Sequence, residues 1–364
     1  MLSVLLMIRR YKETFTLPFK EKIPCHLEAY ESQIKKPLRI IKYIKRYLYM
    51  FLKKELINER DEILDSHRKI LWINKSAPSL GDSLMDLSSR TLLESRDIDL
   101  LTDKKNLPIY DNDLNFKNTF SEMVSLKGKV YDLIIIDSYS TRTIGLKNKL
   151  FSDTEFVSIF GFFNGPEVNR VLFSFHRMNN LLGRKMSPSS IEKIARPSMS
   201  LINVKSIELP NKYIVISVGG EWEYRTYQFW PEVVKLILNK FKNINIVLVG
   251  SENGKDYVNS IISKCSKDRV LDCVGKYSFK ETAKIISKCD VFIGCDGGLM
   301  HVANCFQRIL VPLFARLEPS MQLTESILAF PVFDYDNVNN IPISAIIRNF
   351  DSAFKISYKY HQTL

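Results

Sequence analysis

The sequence predicts an α/β protein of two domains, each built on a parallel sheet covered by helices, with a basic helical extension ahead of them. Three observations carry this. Short apolar, β-branched runs alternate with stretches of helical spacing over most of the chain, the order that parallel sheets require. A length of 364 residues, with 45% hydrophobic and 25% charged content, suits two domains of ordinary size. Residues 1–60 hold 14 Lys and Arg against 6 Asp and Glu, so most of the net charge of +12 sits at the start of the chain.

Within that start, residues 37–56 (PLRIIKYIKRYLYMFLKKEL) mix Leu, Ile, Tyr and Phe with Arg39, Lys42, Lys45, Arg46, Lys53 and Lys54. The composition fits a helix lying on an anionic membrane surface. It equally fits a basic helix packed on the body, because the apolar residues spread around the wheel without forming one stripe. No run of 18 or more apolar residues occurs, so no bilayer-spanning helix is expected. The opening MLSVLLMIRR has its basic residues after the apolar stretch and lacks a small-residue cleavage site, unlike an export signal. Cys25, Cys265, Cys273, Cys289, Cys295 and Cys305 are dispersed without a CxxC pair and read as reduced, buried thiols of a cytosolic protein.

The periodic region begins after Arg68 with the strand KILWIN, the turn-rich KSAPSLGD and a helix expected over 83–94. Further strands are expected at 98–101, at 130–137 (VYDLIIID, a run apolar enough to be buried on both faces) and at 156–162. The second half alternates more regularly. Strands are expected at 213–218, 244–249, 270–273, 290–294 and 309–314, and helices at 230–241, 254–264, 280–288 and 299–306. Pro197, Ser198, Ser200 and Pro210 interrupt the pattern between the halves. The expected organisation is an extension over 1–66, domains over 67–200 and 201–345, and a tail or helix over 346–364. Ligands of open parallel sheets bind beyond the carboxyl ends of the strands, so the loops 217–220, 250–252 and 294–298 should line a cleft.

The strongest local signal is DVFIGCDGGLMHVANCF at 290–306, a buried strand, a sharp turn at Asp296, Gly297 and Gly298, and then a helix. Such a turn offers free backbone N–H groups and a positive helix end to a diphosphate. In the plainer reading Asp296 only caps the helix and the glycines only make the turn. His301, one turn further on, adds a polar group.

These residues resemble the heptosyltransferases of glycosyltransferase family 9, whose C-terminal signature runs roughly Asp-Thr-Gly-x-x-His. Asp296, Gly298 and His301 match it, and Gly297 stands where the family has Thr. VGGEW with Gly219 and Gly220, FWPE, LVGSE with Glu252 and VGKYSFKE with Glu281 follow in the family's order, and SLGDSL matches its Gly-Asp loop after the first strand. The resemblance implies a GT-B fold, two Rossmann-like domains facing a cleft. It implies an inverting, metal-independent transfer in which Asp82, beside Ser79 and Gly81, is the general base and the second domain binds the donor. ADP-heptose would be the co-substrate, with no separate cofactor. The acceptor would be a lipid-linked, lipopolysaccharide-type glycan, made by a peripheral protein at the inner face of the inner membrane. Gln228 occupies the position of the family's donor-binding lysine, so Arg225 is expected to supply the positive charge that a leaving diphosphate needs.

Other classes fit less of the chain. No GxGxxG follows a strand, which argues against a nicotinamide or flavin oxidoreductase. Asp111-Asn112-Asp113 and Asp334-Tyr335-Asp336 imitate a metal-binding Asp-x-Asp but follow no convincing buried strand, so no metal is expected. An epimerase or a transferase of another nucleotide sugar would use the same loops, and a noncatalytic glycan- or membrane-binding homologue would explain the missing lysine. The basic charge clusters with long apolar side chains rather than in a nucleic-acid module, so no nucleic-acid partner is expected.

Overall fold

The computed structural model describes residues 2–19, 36–75, 77–165, 167–265 and 267–362. The chain divides into two units, Met1–Ala195 and Arg196–Leu364. In the first, the parallel strands β1 (Lys69–Asn74), β2 (Asp97–Thr102), β3 (Asn118–Phe120), β4 (Leu133–Ser138) and β5 (Phe156–Gly161) lie in the order β3-β2-β1-β4-β5. Its helices are α1 (Leu2–Arg10), α2 (Lys36–Leu52), α3 (Leu80–Asp86), α4 (Leu107–Tyr110), α5 (Thr141–Leu150), α6 (Arg170–Leu181) and α7 (Pro188–Ile194). The strand order reverses between β1 and β4, which opens a crevice at their carboxyl ends.

Differences from the expected elements have local causes. The run 130–137 becomes a strand only at Leu133, because Val130 is exposed and Tyr131 turns its hydroxyl to Asp99 at 2.7 Å. The helix expected over 83–94 starts earlier, where Ser79 and Asp82 form a capping box, and ends at Asp86. It gives way to a 3-10 turn whose Arg90 is buried against Asp113 at 2.6 Å, which makes Asp113 a structural partner. β3 is a three-residue edge strand too short and polar to show periodicity.

The extension is built into the first unit. Tyr43, Tyr47 and Met50 of α2 pack with Leu71, Ile73, Ile134 and Ile136 of the sheet. The Tyr43 hydroxyl donates to the Met7 carbonyl at 2.5 Å, joining α2 to α1. Beyond α2, the fully buried Glu55 pairs with the fully buried Lys147 at 2.5 Å. The opposite face of α2 presents Leu38, Ile41, Leu48 and Leu52 to solvent at spacings of three and four, with the exposed Lys45 among them. Ile40 and Phe51 are exposed too, so apolar residues remain spread around the helix, as the sequence indicates.

In the second unit β6 (Tyr213–Ser217), β7 (Asn245–Val249), β8 (Val270–Asp272), β9 (Val291–Cys295), β10 (Ile309–Ala315) and β11 (Val332–Asp334) form a parallel sheet ordered β11-β10-β9-β6-β7-β8. The helices α8 (Trp230–Lys240), α9 (Lys255–Lys264), α10 (Phe279–Ile286), α11 (Gly298–Cys305) and α12 (Ile343–Gln362) accompany it. The final segment is thus a long helix, and Ile346, Phe350 and Ala353 bury its inner stripe in the core. β11 was too short to anticipate, and Asp334 ends it by accepting the N–H groups of Asp336 and Asn337 at 2.8 and 2.9 Å. Here the order reverses between β6 and β9. Cys273 and Cys289 are buried free thiols, whereas Cys265, Cys295 and Cys305 are half-buried because each sits at an element's end. Cys25 lies outside the described residues.

Candidate functional site

In the second unit the loops after β6 and β9 flank the point of reversal, where ligands of such sheets bind. Gly219 has φ +82°, and a Cβ there would stand 2.7 Å from the Asn253 side-chain oxygen; Asn253 donates to the Gly220 carbonyl at 2.7 Å. After β9 the Asp296 N–H still donates to the Leu313 carbonyl at 2.9 Å, so the chain leaves the sheet only at Gly297. Gly298 then begins α11, and a Cβ on it would meet nothing within 4 Å, which leaves open space before the helix end.

Asp296 makes no capping bond to that helix. Its buried carboxylate instead accepts from Arg225 Nη1 at 3.0 Å, across 71 residues of sequence. A positive helix end, a guanidinium held by a carboxylate and two glycines without side chains form a cradle suited to a diphosphate.

The remaining sequence-selected residues of this unit are distributed less tightly. Gln228 is exposed, and its N–H donates to Asn339 at 2.8 Å. Glu252 is exposed and pairs with Lys255 at 2.5 Å. Glu281 caps α10, accepting the N–H and hydroxyl of Ser278 at 2.9 and 2.7 Å, and these bonds hold its carboxyl below the usual range. His301 is buried inside α11.

Arg316 was not anticipated. It follows β10 directly with φ +67°, and its guanidinium lies 4.0 Å from the centre of the Tyr224 ring, over which Arg225 also sits at 5.5 Å. The available signal was a cation immediately after a buried strand, in LFAR.

In the first unit Ser79 caps α3 and Gly81 is buried in its first turn. Asp82 Oδ2 accepts from the Ser79 N–H and hydroxyl at 3.1 and 2.6 Å, so the capping role and any chemical role share one carboxylate. Its Oδ1 stands 3.9 Å from Arg170 Nε, at the start of α6. Arg170 binds Asp86 through both carboxylate oxygens at 2.7 Å each. Deeper still, Asp137 at the end of β4 accepts from Asn74 at 3.0 Å, and Asn74 accepts from Ser83 at 2.8 Å. Asp86, Arg170 and Asp137 were missed in the sequence because each looks like an isolated charge in a helix or strand.

Burial pushes Asp86 up to about 6, with Arg170 opposing it, and pushes Asp137 up to about 8, with the nearby Asp86 charge adding to the rise. An unfolded chain releases the Asp137 proton near pH 3.9. The native state keeps that proton until about pH 8, so it binds more protons than the unfolded state in between and stability falls as pH rises through this window. Asp137→Asn should flatten that fall, measured as denaturant midpoints at about pH 5 and pH 8.5. Equal slopes in both proteins would remove Asp137 as the titrating group.

Residues 166–326 match the model of glycosyltransferase family 9 (heptosyltransferase). Over these residues the chain is similar to the family 9 glycosyltransferases. No curated protein sequence matches it. Among solved structures it is similar to a family 9 glycosyltransferase of Veillonella parvula, with 13% identity and TM-score 0.66 over 81% of this chain and 99% of that one. It is similar to the E. coli ADP-heptose LPS heptosyltransferase II, with 16% identity and TM-score 0.61 over 80% and 99%. The E. coli heptosyltransferase WaaC, solved with ADP, has 14% identity and TM-score 0.58 over 79% and 99%.

The shared architecture is GT-B, two Rossmann-like domains. The family 9 match takes in every site residue of the second unit together with Arg170 and Arg316, whereas Ser79, Gly81 and Asp82 precede it.

Proposed function

We propose that this family 9 glycosyltransferase moves a sugar, heptose foremost, from a nucleoside diphosphate to a hydroxyl of a lipid-linked surface glycan with inversion. The observation that carries the donor half is the meeting of Arg225, Asp296 and the open Gly297-Gly298 turn at the strand reversal of the second unit. Arg225, oriented by Asp296, and Arg316, which sits over the same Tyr224 ring, supply positive charge as the diphosphate leaves. Gly219 and Gly220 let their loop close on Asn253 and Thr226, where a Cβ would clash, and Glu252, exposed beside Lys255, accepts a donor hydroxyl. Asp82 takes the proton of the attacking hydroxyl, with Arg170 Nε standing 3.9 Å from its Oδ1. The ADP carried by one structural relative and the ADP-heptose named for another make ADP-heptose the first donor to try.

Thermal unfolding with a panel of nucleoside diphosphates and their sugars tests this reading. One donor should raise Tm in the wild type and in Asp82→Asn but not in Arg225→Ala. No shift with any donor, at concentrations well above the micromolar to millimolar range, would end it.

We further propose that the protein works as a peripheral protein on the cytoplasmic face of the inner membrane, through the outer stripe of α2. Leu38, Ile41, Leu48 and Leu52 supply the apolar contact, and the basic residues around them supply attraction to anionic lipid. Deleting the extension is a poor test, since Glu55 and the α2 tyrosines belong to the core. Leu48→Asp/Leu52→Asp should instead abolish flotation with vesicles of 30% anionic phospholipid, about an order of magnitude in binding. Flotation on purely zwitterionic vesicles, or unchanged in the variant, would count against it.

A further inference from the structure

The first unit holds a cavity of about 600 Å³ that none of the functional assignments above uses. This lies within the usual span of small-ligand sites, about 300–1,000 Å³. One wall is the chain from Leu6 to Pro18, which precedes the first strand and lies outside the family match. The other is the end of β5 with Phe173, Arg177 and Asn180 of α6.

The extension's wall is firmly anchored. Arg10 binds Glu59 through two nitrogens at 2.6 and 2.7 Å and Glu13 at 2.9 Å, and its guanidinium stacks over Phe162 at 4.9 Å. Burial works against its charge, but the two carboxylates more than offset that, so Arg10, Glu13 and Glu59 satisfy one another. Left facing the cavity are Arg9, Lys12 and Arg177, with Asp61 as the remaining acid. Arg9 and Lys12 have no acidic partner among the described residues, and Arg177 spends one nitrogen on the Ser158 carbonyl at 3.1 Å.

Two contacts link the cavity to Asp82. Phe160 lines it, Arg170 lies 5.1 Å from the Phe160 ring centre, and Arg170 stands 3.9 Å from Asp82. Phe160 packs in turn on Phe173 at 4.9 Å. Aromatic faces suit a sugar ring, Asn180, Thr16 and Asp61 offer partners to its hydroxyls, and three cations exceed what a neutral sugar needs.

We propose that this cavity is a distal acceptor subsite, holding an anionic sugar of the glycan while the hydroxyl to be glycosylated reaches Asp82. The proposal rests on the acceptor role given to the first unit above. It makes the N-terminal extension part of substrate recognition as well as of membrane attachment.

The full-length protein is titrated with glucose 6-phosphate, with glucose as the neutral control and inorganic phosphate as the sugar-free control, and binding is followed by calorimetry and by NMR of the ligand. Glucose 6-phosphate should bind at least about tenfold more tightly than either control. Arg9→Ala/Lys12→Ala should lose about tenfold of that affinity with an unchanged Tm, since neither side chain is packed. Arg225→Ala should bind it as the wild type does, which separates this cavity from the donor cradle. Unchanged affinity in the double variant overturns the site, and phosphate binding as tightly as the sugar phosphate overturns its saccharide character. Because no turnover is measured, a failure of the Asp82 mechanism leaves these outcomes readable.

Discussion

Asp82→Asn should lower kcat by about a hundred- to ten-thousand-fold while the donor-induced rise in Tm stays as in the wild type. The amide keeps the size of the carboxylate and can still accept from Ser79, so the capping box that starts α3 largely survives. What it loses is the ability to take a proton. Asp82→Ala is a poorer variant, because it removes the reciprocal half of the capping box and confuses stability with chemistry. A parallel Arg170→Gln protein separates the base from its neighbour. With Asp82 intact, its kcat should fall far less than that of Asp82→Asn. Retention of near-normal kcat in Asp82→Asn, measured with a donor that stabilises the protein, would remove Asp82 from the role of base.

Arg225→Ala should abolish donor-induced stabilisation and cost about a hundred- to thousand-fold in kcat, the loss expected of one preorganised charge at a leaving group. It should also destabilise the free protein, because Asp296 is buried and Arg225 is its partner at 3.0 Å. Stranding a buried charge typically costs about 3–5 kcal/mol, and the lower end applies since Arg225 is itself partly open to solvent. The double substitution Arg225→Ala/Asp296→Asn tells the two effects apart: stability should return towards wild type while donor binding stays lost. Arg225→Lys should keep the charge and lose the planar fork, giving an intermediate donor affinity. If both stability and donor binding recover in the double variant, Arg225 acts on Asp296 alone and another cation, Arg316 first, carries the phosphates.

The alternation of strands and helices, the parallel sheets and the Asp296 turn were legible in the sequence because each is a local pattern. β4 is a run of apolar residues with one geometry open to it, and α11 announces itself by two glycines before helical spacing. Asp82 was legible through its motif and through its cap, and both roles sit on one side chain. By contrast, the partner of Asp296 lies 71 residues away, and the cluster of Asp86, Asp137 and Arg170 draws on a helix, a strand and a second helix.

The sequence by itself determined the alternation of the longer strands and helices, the α/β class and the two glycine- and aspartate-bearing loops, since these depend on neighbours within a few residues. Only the tertiary structure decided that Asp296 pairs with Arg225 instead of capping its helix, that the extension is wedded to the core, and that a cavity opens beside Phe160. Those outcomes depend on which charges are brought together and removed from water, and only the fold brings them together.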